Sequence, residues 1–497
     1  MSFVPHFTIL IPLLFLGMSF LFPILNQLKR CIIPRIARYV AGLNLVLAVI
    51  TLYYVKTKGP FSYHFGGWEN RIWGIEFYVT ELEAFLLTLF LSMIFLILIY
   101  SKSLLKAEVK NKVIGLYYTL LFLLLSSLVG MIATNDFFNL FVFMEISALT
   151  SVAIISVKDD RECIDASVKY LFLTAIGSSL FLLSIGILYM VTGHLNMNEV
   201  REILPAAIES YPQTVGLSMV IMFFGLALKS ALFPLHIWLP DAYSKAPMTS
   251  TLVMAGVVGK VYIINAIKIL YRVYTVNLLH GNMLWEVILI LSALAIVIGS
   301  IFAIGQKSVK RLLAYSSIAQ VGYIFLGIAL VTESGLTGGL LHIFNHALVK
   351  SLLFLTSGII IIYGQENKVR KFDGIGRKYP IVMLSFSFAA LSMVGIPPLN
   401  GFISKWILAM STLDAGRPIY LFVIILSSLM NGIYYLPIII RSFFKGEDKS
   451  YNWEFGRLPG SILFPVVAFT AAIILFGIMP QIPLSIIEPA AESLMNF

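Results

Sequence analysis

Residues 168–177 read VKYLFLTAIG, and residues 349–358 read VKSLLFLTSG. Two near-copies of one apolar string, each with a lysine in second place (Lys169 and Lys350), are the mark of an internal repeat. Each copy lies within a run long and apolar enough to cross a bilayer, 167–192 and 338–363. Five spans separate the two runs. An odd offset sends the copies across the membrane in opposite directions, so the repeat is inverted. The expected fold is therefore an all-α polytopic membrane protein with two inverted five-helix repeats.

Working outward, apolar runs predict about fourteen transmembrane helices: 7–26, 37–55, 83–101, 113–133, 137–157, 167–192, 214–238, 247–271, 284–304, 312–332, 338–363, 380–411, 419–441 and 460–480. The domain organisation expected from them is an N-terminal three-helix region with an external hairpin (1–112), a first repeat (113–273), a second repeat (284–445), and a C-terminal loop with the last helix (446–497). The hairpin falls in 56–82, where short aromatic pieces alternate with Gly. The segment 195–209 reads as an outer amphipathic helix. Only 12% of the 497 residues are charged and 59% are hydrophobic. Soluble domains carry about 25% charged residues, so a water-soluble surface is excluded.

The net charge of +10 does not point to nucleic acid. Of the 35 Lys and Arg, 23 fall in odd-numbered loops and 7 in even-numbered loops and their adjoining span ends. That bias predicts odd loops in the cytoplasm of a prokaryotic cell and both termini outside. The N-terminus lacks a basic leader region and reads as the first span. Cys31 and Cys163 stand apart with no CxxC or Cys/His cluster, and no nucleotide-binding loop appears. No cofactor or metal site is expected within this chain.

Spans seven and twelve both carry helix breakers at mid-depth. Span seven reads GLALKSALFPLHIWLP, with Pro234 inside it and Pro240 at its end. Span twelve reads MVGIPPLNGFISKW, with Pro397 and Pro398. Proline removes a backbone donor and clashes with the preceding turn. Paired discontinuous helices at matching repeat positions point to a transport site.

Five lysines lie inside the expected spans: Lys169, Lys229, Lys260, Lys350 and Lys405. Each costs roughly 2.5–3.5 kcal/mol at mid-bilayer, so each needs a partner or a purpose. Glu145 is read as the only deep acid, with Lys229, beside the first break, as its partner. His342, His346 and Lys350 are spaced i, i+4, i+8 and share one helical face, a stripe able to hand on a proton. Lys169 and Lys260 also admit a structural role, bonded to carbonyls. His236 and Asp241, near the cytoplasmic edge, read either as proton entry or as ordinary polar groups there. A solute transporter or channel is a rival of another class, but FPLHIWLP and IPPLNGF offer it few polar groups. A membrane scaffold would leave the buried lysines without a purpose.

The pieces NDFFNLFVFMEIS, GLALKSALFPLHIWLPDAYSKAP, KRLLAYSSIAQVGYIFLGIAL, HIFNHALVKSLLFLTSG and GIPPLNGFISKW resemble the antiporter-like subunits shared by Mrp-type cation/proton antiporters, respiratory complex I and membrane-bound hydrogenases. The resemblance runs from about residue 60 to 450. It implies a hydrophilic axis in the membrane plane, with Glu145 and Lys229 as a coupling pair. It further implies that Lys260, His346 and Lys350 connect that pair to Lys405 at an exit. Lysine rather than glutamate at 405, with no long lateral helix after span fourteen, is most similar to the D-type subunits of Mrp antiporters. Hetero-oligomeric partners are implied, with antiporter-like and small membrane subunits in the Mrp case. A redox-driven, proton-pumping complex, with its redox groups on other chains, remains the alternative; the chain would then serve a membrane oxidoreductase. Deep oxygen ligands are too few for sodium, so protons are the expected cargo, with any sodium route in a partner.

Overall fold

The structure, a computed structural model, describes residues 4–65, 74–158, 160–275, 283–364, 367–369, 372–445 and 458–496. The expected hairpin tip, 66–73, and the loop 446–457 lie outside these. In lipid each backbone polar group must be satisfied within the protein, which leaves helices as the form for apolar runs of this length. Thirteen helices among the described residues are long and apolar enough to cross a membrane.

They are α1 (Phe7–Lys29), α2 (Ile33–Lys58), α3 (Glu81–Glu108), α4 (Ile114–Ala133), α5 (Phe137–Ser156), α6 (Arg161–Thr192) and α8 (Pro212–Lys229). After them come α10 (Met248–Val273), α11 (Met283–Ile304), α12 (Val309–Ala329), α13 (Glu333–Gly364), α16 (Pro418–Phe444) and α17 (Gly460–Ile478). The fourteenth crossing is the expected twelfth span. It is split into α14 (Pro380–Val394) and α15 (Asn400–Asp414), fifteen residues each. Span seven continues past α8 through an irregular stretch into α9 (Trp238–Lys245). The chain is a multi-pass membrane protein.

Around this bundle lie three smaller elements. Strands β1 (Phe61–His64) and β2 (Glu76–Val79) pair antiparallel, with Phe61 opposite Val79, as the expected hairpin. The amphipathic α7 (Met197–Ser210) stands where 195–209 predicted it, N-capped by Asn196. The tail folds into α18 (Gln481–Met495), which packs on α3, α10 and α13; no helix was expected there.

The packing order of the two sets of five spans is the same. In the first, α4 packs on α5, α5 on α6, α6 on α8 and α8 on α10; in the second, α11 packs on α12, α12 on α13, α13 on α14 and α15, and these on α16. The quoted strings are nevertheless out of step. Lys169 is the ninth residue of α6 and Lys350 the eighteenth of α13, though both helices have thirty-two residues. Lys169 accordingly does not lie buried within a span. Its side chain is 57% exposed near the start of α6 and pairs with Asp241.

What repeats closely is the manner in which spans seven and twelve break. Helix α8 ends with Leu232 N–H donating to Ala227 O (3.0 Å) and Ala231 N–H to Leu228 O (3.2 Å). Helix α14 ends with Ile396 N–H donating to Leu391 O (3.2 Å) and Gly395 N–H to Ser392 O (3.1 Å). Each is a Schellman cap, which needs a left-handed residue just past the helix. That residue is Gly395 (φ 92°) in one and Ala231 (φ 58°) in the other.

Candidate functional site

Lys229 is the last residue of α8, and the partial negative charge of a helix C-terminus favours an ammonium there. Helices α6 and α8 meet closely at Gly177 and Gly225, where a Cβ on Gly225 would lie 2.8 Å from Gly177 O. This contact leaves the Lys229 side chain fully enclosed. Its Nζ lies 3.6 Å from Glu145 Oε1 and 5.4 Å above the Tyr262 ring, whose hydroxyl meets Ser147 Oγ at 2.9 Å. At 3.6 Å the pair is an electrostatic contact longer than a charge-assisted hydrogen bond.

Glu145 itself departs from expectation, since its side chain is 34% exposed. It shares the outer face of α5 with Phe138, Val142 and Leu149, all exposed. The residue is at the expected depth, but one side of it looks out of the chain. Another acid, Glu83, is completely buried, but it stands in the first turn of α3, at the end of its span.

Lys260 occupies α10 just after a π-helical stretch, Met254–Val258, and donates to Ala255 O within it. A π turn widens the ladder and frees a carbonyl, and such turns recur at functional sites. Helix α13, which carries His346 and Lys350, packs against this π-helical stretch of α10. Lys350 donates to Leu313 O at 2.9 Å. Both ring nitrogens of His346 are buried without a hydrogen-bond partner. The His346 ring stacks on that of His342 at 6.2 Å, so the expected stripe forms. His342 in turn meets Gln320 Oε1 and Ser404 Oγ, each at 3.0 Å.

Ser404 leads directly to Lys405 on α15. Lys405 Nζ donates to Met393 O (2.7 Å) and Val394 O (3.3 Å), carbonyls that the break at the end of α14 leaves free, and to Ser428 Oγ (3.3 Å). The Tyr323 ring lies 4.9 Å below it. Asn345 and Asn400 exchange hydrogen bonds of 2.8 and 2.9 Å, and Ser392 Oγ donates to Asn400 Oδ1 at 2.7 Å. Protein groups thus satisfy the interrupted backbone, the condition for a break at membrane depth.

The cytoplasmic candidates divide. Asp241 on α9 accepts from Lys169 Nζ at 2.8 Å and pairs with Arg311 at 3.4 Å. Lys245 pairs with Glu162. His236 is buried in the break, its ring stacked on Phe233 at 5.2 Å. It does not join the Asp241 cluster.

A second polar cluster, unforeseen from the sequence, closes the other end of α10. Glu83 Oε1 accepts from Arg272 Nη2 at 2.9 Å, and Thr80 N–H and hydroxyl bond the other oxygen. Lys268 Nζ donates to Ile132 O (2.9 Å) and Thr134 O (3.0 Å). Lys268 and Arg272 belong to a second π-helical stretch, Lys268–Val273, and both are buried. Beside it, Glu76 accepts from Asn196, Asn135 and Ser62. Burial opposes ionisation of Glu76, but those hydrogen bonds outweigh it and hold the carboxyl below the usual carboxylate range. The sequence did carry one signal, the T-x-x-E capping box of Thr80 and Glu83. Among the described residues no group of three or more His, Cys, Asp or Glu forms a metal site.

Residues 134–431, from the start of α5 into α16, match the family described as "NADH:quinone oxidoreductase/Mrp antiporter, TM". The chain belongs to this family. Among NADH:quinone oxidoreductase/Mrp antiporter relatives it is similar to the NADH-quinone oxidoreductase N subunit of Desulforudis audaxviator, 37% identical over 85% of each chain. It is also similar to the Na(+)/H(+) antiporter D subunit of Bacillus subtilis, 28% identical over 97% of each. Of solved structures, a chain of the membrane-bound sulfane sulfur reductase, an archaeal respiratory membrane complex, superposes with a TM-score of 0.90 at 31% identity, covering 99% of this chain and 98% of that one. A chain of the Mrp complex from Dietzia sp. DQ12-45-1b gives 0.87 at 23% identity, covering 100% and 98%, a likeness of fold.

Proposed function

We propose that the chain is the proton-translocating, antiporter-like subunit of a multi-subunit complex in the cytoplasmic membrane of a prokaryote, as in the relatives named for the D subunit of Na(+)/H(+) antiporters. One observation carries the reading. A row of buried bases, Lys229, Lys260, His346, Lys350 and Lys405, runs through the bundle from Glu145 to the break of span twelve. Charges cost too much at this depth to be kept without a purpose. His342 extends the row by its hydrogen bond to Ser404 Oγ, the residue beside Lys405 on α15.

In this scheme the region 113–273 forms the first half-channel and 284–445 the second. A proton enters from the cytoplasmic side near the break of span seven, where Lys169 and Arg311 orient Asp241. Glu145 at 3.6 Å holds the ammonium form of Lys229. Coulomb attraction falls inversely with distance, so drawing the carboxylate away loosens that hold and sends the proton toward Lys260. The row passes it through His346 and Lys350 to Lys405, and then outward. Both termini lie outside, by the charge asymmetry of the loops.

Lys229→Ala removes the head of the row. Proton translocation by the complex in reconstituted vesicles is expected to fall to background while the complex still assembles. Unchanged transport would refute the scheme. A second reading, a proton pump driven by a redox module, has support from the higher identities to the quinone-oxidoreductase N subunit and to the sulfane sulfur reductase chain. Purification in mild detergent with mass spectrometry and metal analysis separates the two. Iron-containing partner subunits mean redox drive, and small membrane subunits alone mean an ion-gradient antiporter.

A further inference from the structure

We propose that the groove between α2 and α3 is a binding site for one acidic phospholipid. Two cavities, of about 470 and 350 Å³, share Arg35 as a common wall. The first is floored by apolar groups, among them Phe95 and Ile99 of α3 facing Gly42 of α2. Because Gly42 has no side chain, the Phe95 ring packs against the α2 backbone, where a Cβ would meet it at 3.3 Å. The rim is basic. Arg35 and Arg38 line the first cavity, and Arg35, Lys102 and Lys106 the second.

Among the described residues no acid lines either cavity. Arg38 Nε donates only to Pro34 O of its own helix, at 3.0 Å, and among the described residues none of the four cations has an acidic partner. That contrasts with several other bases at this end of the bundle. Lys158 pairs with Glu108, Lys245 with Glu162 and Arg441 with Asp373. An unneutralised basic rim above an apolar trough, on the side where the charge count places anionic headgroups, has the chemistry of a phosphate headgroup with its acyl chains. A transmembrane helix of a neighbouring subunit would fill the trough, but would pair the four cations only if it brought acids of its own to the rim.

The test uses the full chain in its native complex, reconstituted into phosphatidylcholine bilayers doped with either phosphatidylglycerol or cardiolipin. Lipid retained on the chain is read by native mass spectrometry. The parent is expected to retain the acidic lipid over phosphatidylcholine, and the two dopants show whether one phosphate or two are held. Arg35→Gln/Arg38→Gln is expected to weaken retention about fivefold per charge removed. Gly42→Leu keeps every charge but fills the trough, and is expected to lose the lipid as well. Equal retention in parent and variants, or no preference over phosphatidylcholine, overturns the proposal. So does a cross-link from Tyr39→Cys, at the lining of the first cavity, to another subunit in the assembled complex.

Discussion

At the scale of single residues, burial and partner decide what each charge does. Glu83 pairs with the enclosed Arg272 and lies near a second buried cation, Lys268, and the cost of breaking such a cluster lies in the charges left behind. Glu83→Gln is expected to destabilise the protein by about 3–5 kcal/mol, read as a lower thermal midpoint in detergent; Glu83→Gln/Arg272→Gln should recover part of it. Glu76 makes a pH prediction of definite sign. Its folded carboxyl titrates below the ordinary value of about 4.3, so its contribution is complete above that value and is lost as pH falls through the folded one. Amide protection in Phe61–His64 and Glu76–Val79 should hold constant from about pH 7 to 5 and fall below about pH 4, a fall absent from Glu76→Gln. The i, i+4, i+8 stripe of His342, His346 and Lys350 was legible because helical spacing alone puts it on one face. Glu83, Lys268 and Arg272 were not. They stand at span ends, where sequence reads as interface, and only the tertiary fold brings the three together.

At the scale of elements, the two interrupted spans are alike in design and unlike in detail. Proline announced both, but not that each half-helix would close with a Schellman cap, nor that the two lysines would serve different ends of their breaks. Lys229 terminates α8 itself, whereas Lys405 reaches back from α15 to the last carbonyls of α14. The repeated string misled over Lys169, because likeness of sequence fixes neither the depth of a residue nor its facing. Close approach makes the second break sensitive to volume. A Cβ on Gly401 would fall 2.1 Å from Ser392 O, so Gly401→Ala should cost about 1–3 kcal/mol through overpacking and slow proton translocation. Gly186→Ala, with nothing within 4 Å of its new methyl, is the control expected to do neither.

For the whole molecule, hydropathy and loop charge delivered the number of crossings and the class. They did not reveal the open face of α5, because a sequence shows which residues are apolar but not which helices stand at the perimeter. A carboxylate on a face at bilayer depth calls for a protein neighbour rather than lipid. Leu149→Cys in a Cys31→Ser background, one helical turn from Glu145, is therefore expected to cross-link to a neighbouring subunit in the assembled complex. The chain expressed alone should give no such product. No cross-link in the complex would mean that the neighbour sits elsewhere.

The row of bases is closed at both ends by the chain's own atoms, Lys229 behind Glu145 and Lys405 against the carbonyls of α14. A newly inserted copy, waiting in the membrane for its companions, is thus already insulated. On the proposed scheme such a copy would not short-circuit the voltage the cell maintains, so one made in excess or orphaned during biogenesis would be tolerable. Assembly is then the step that would open the row.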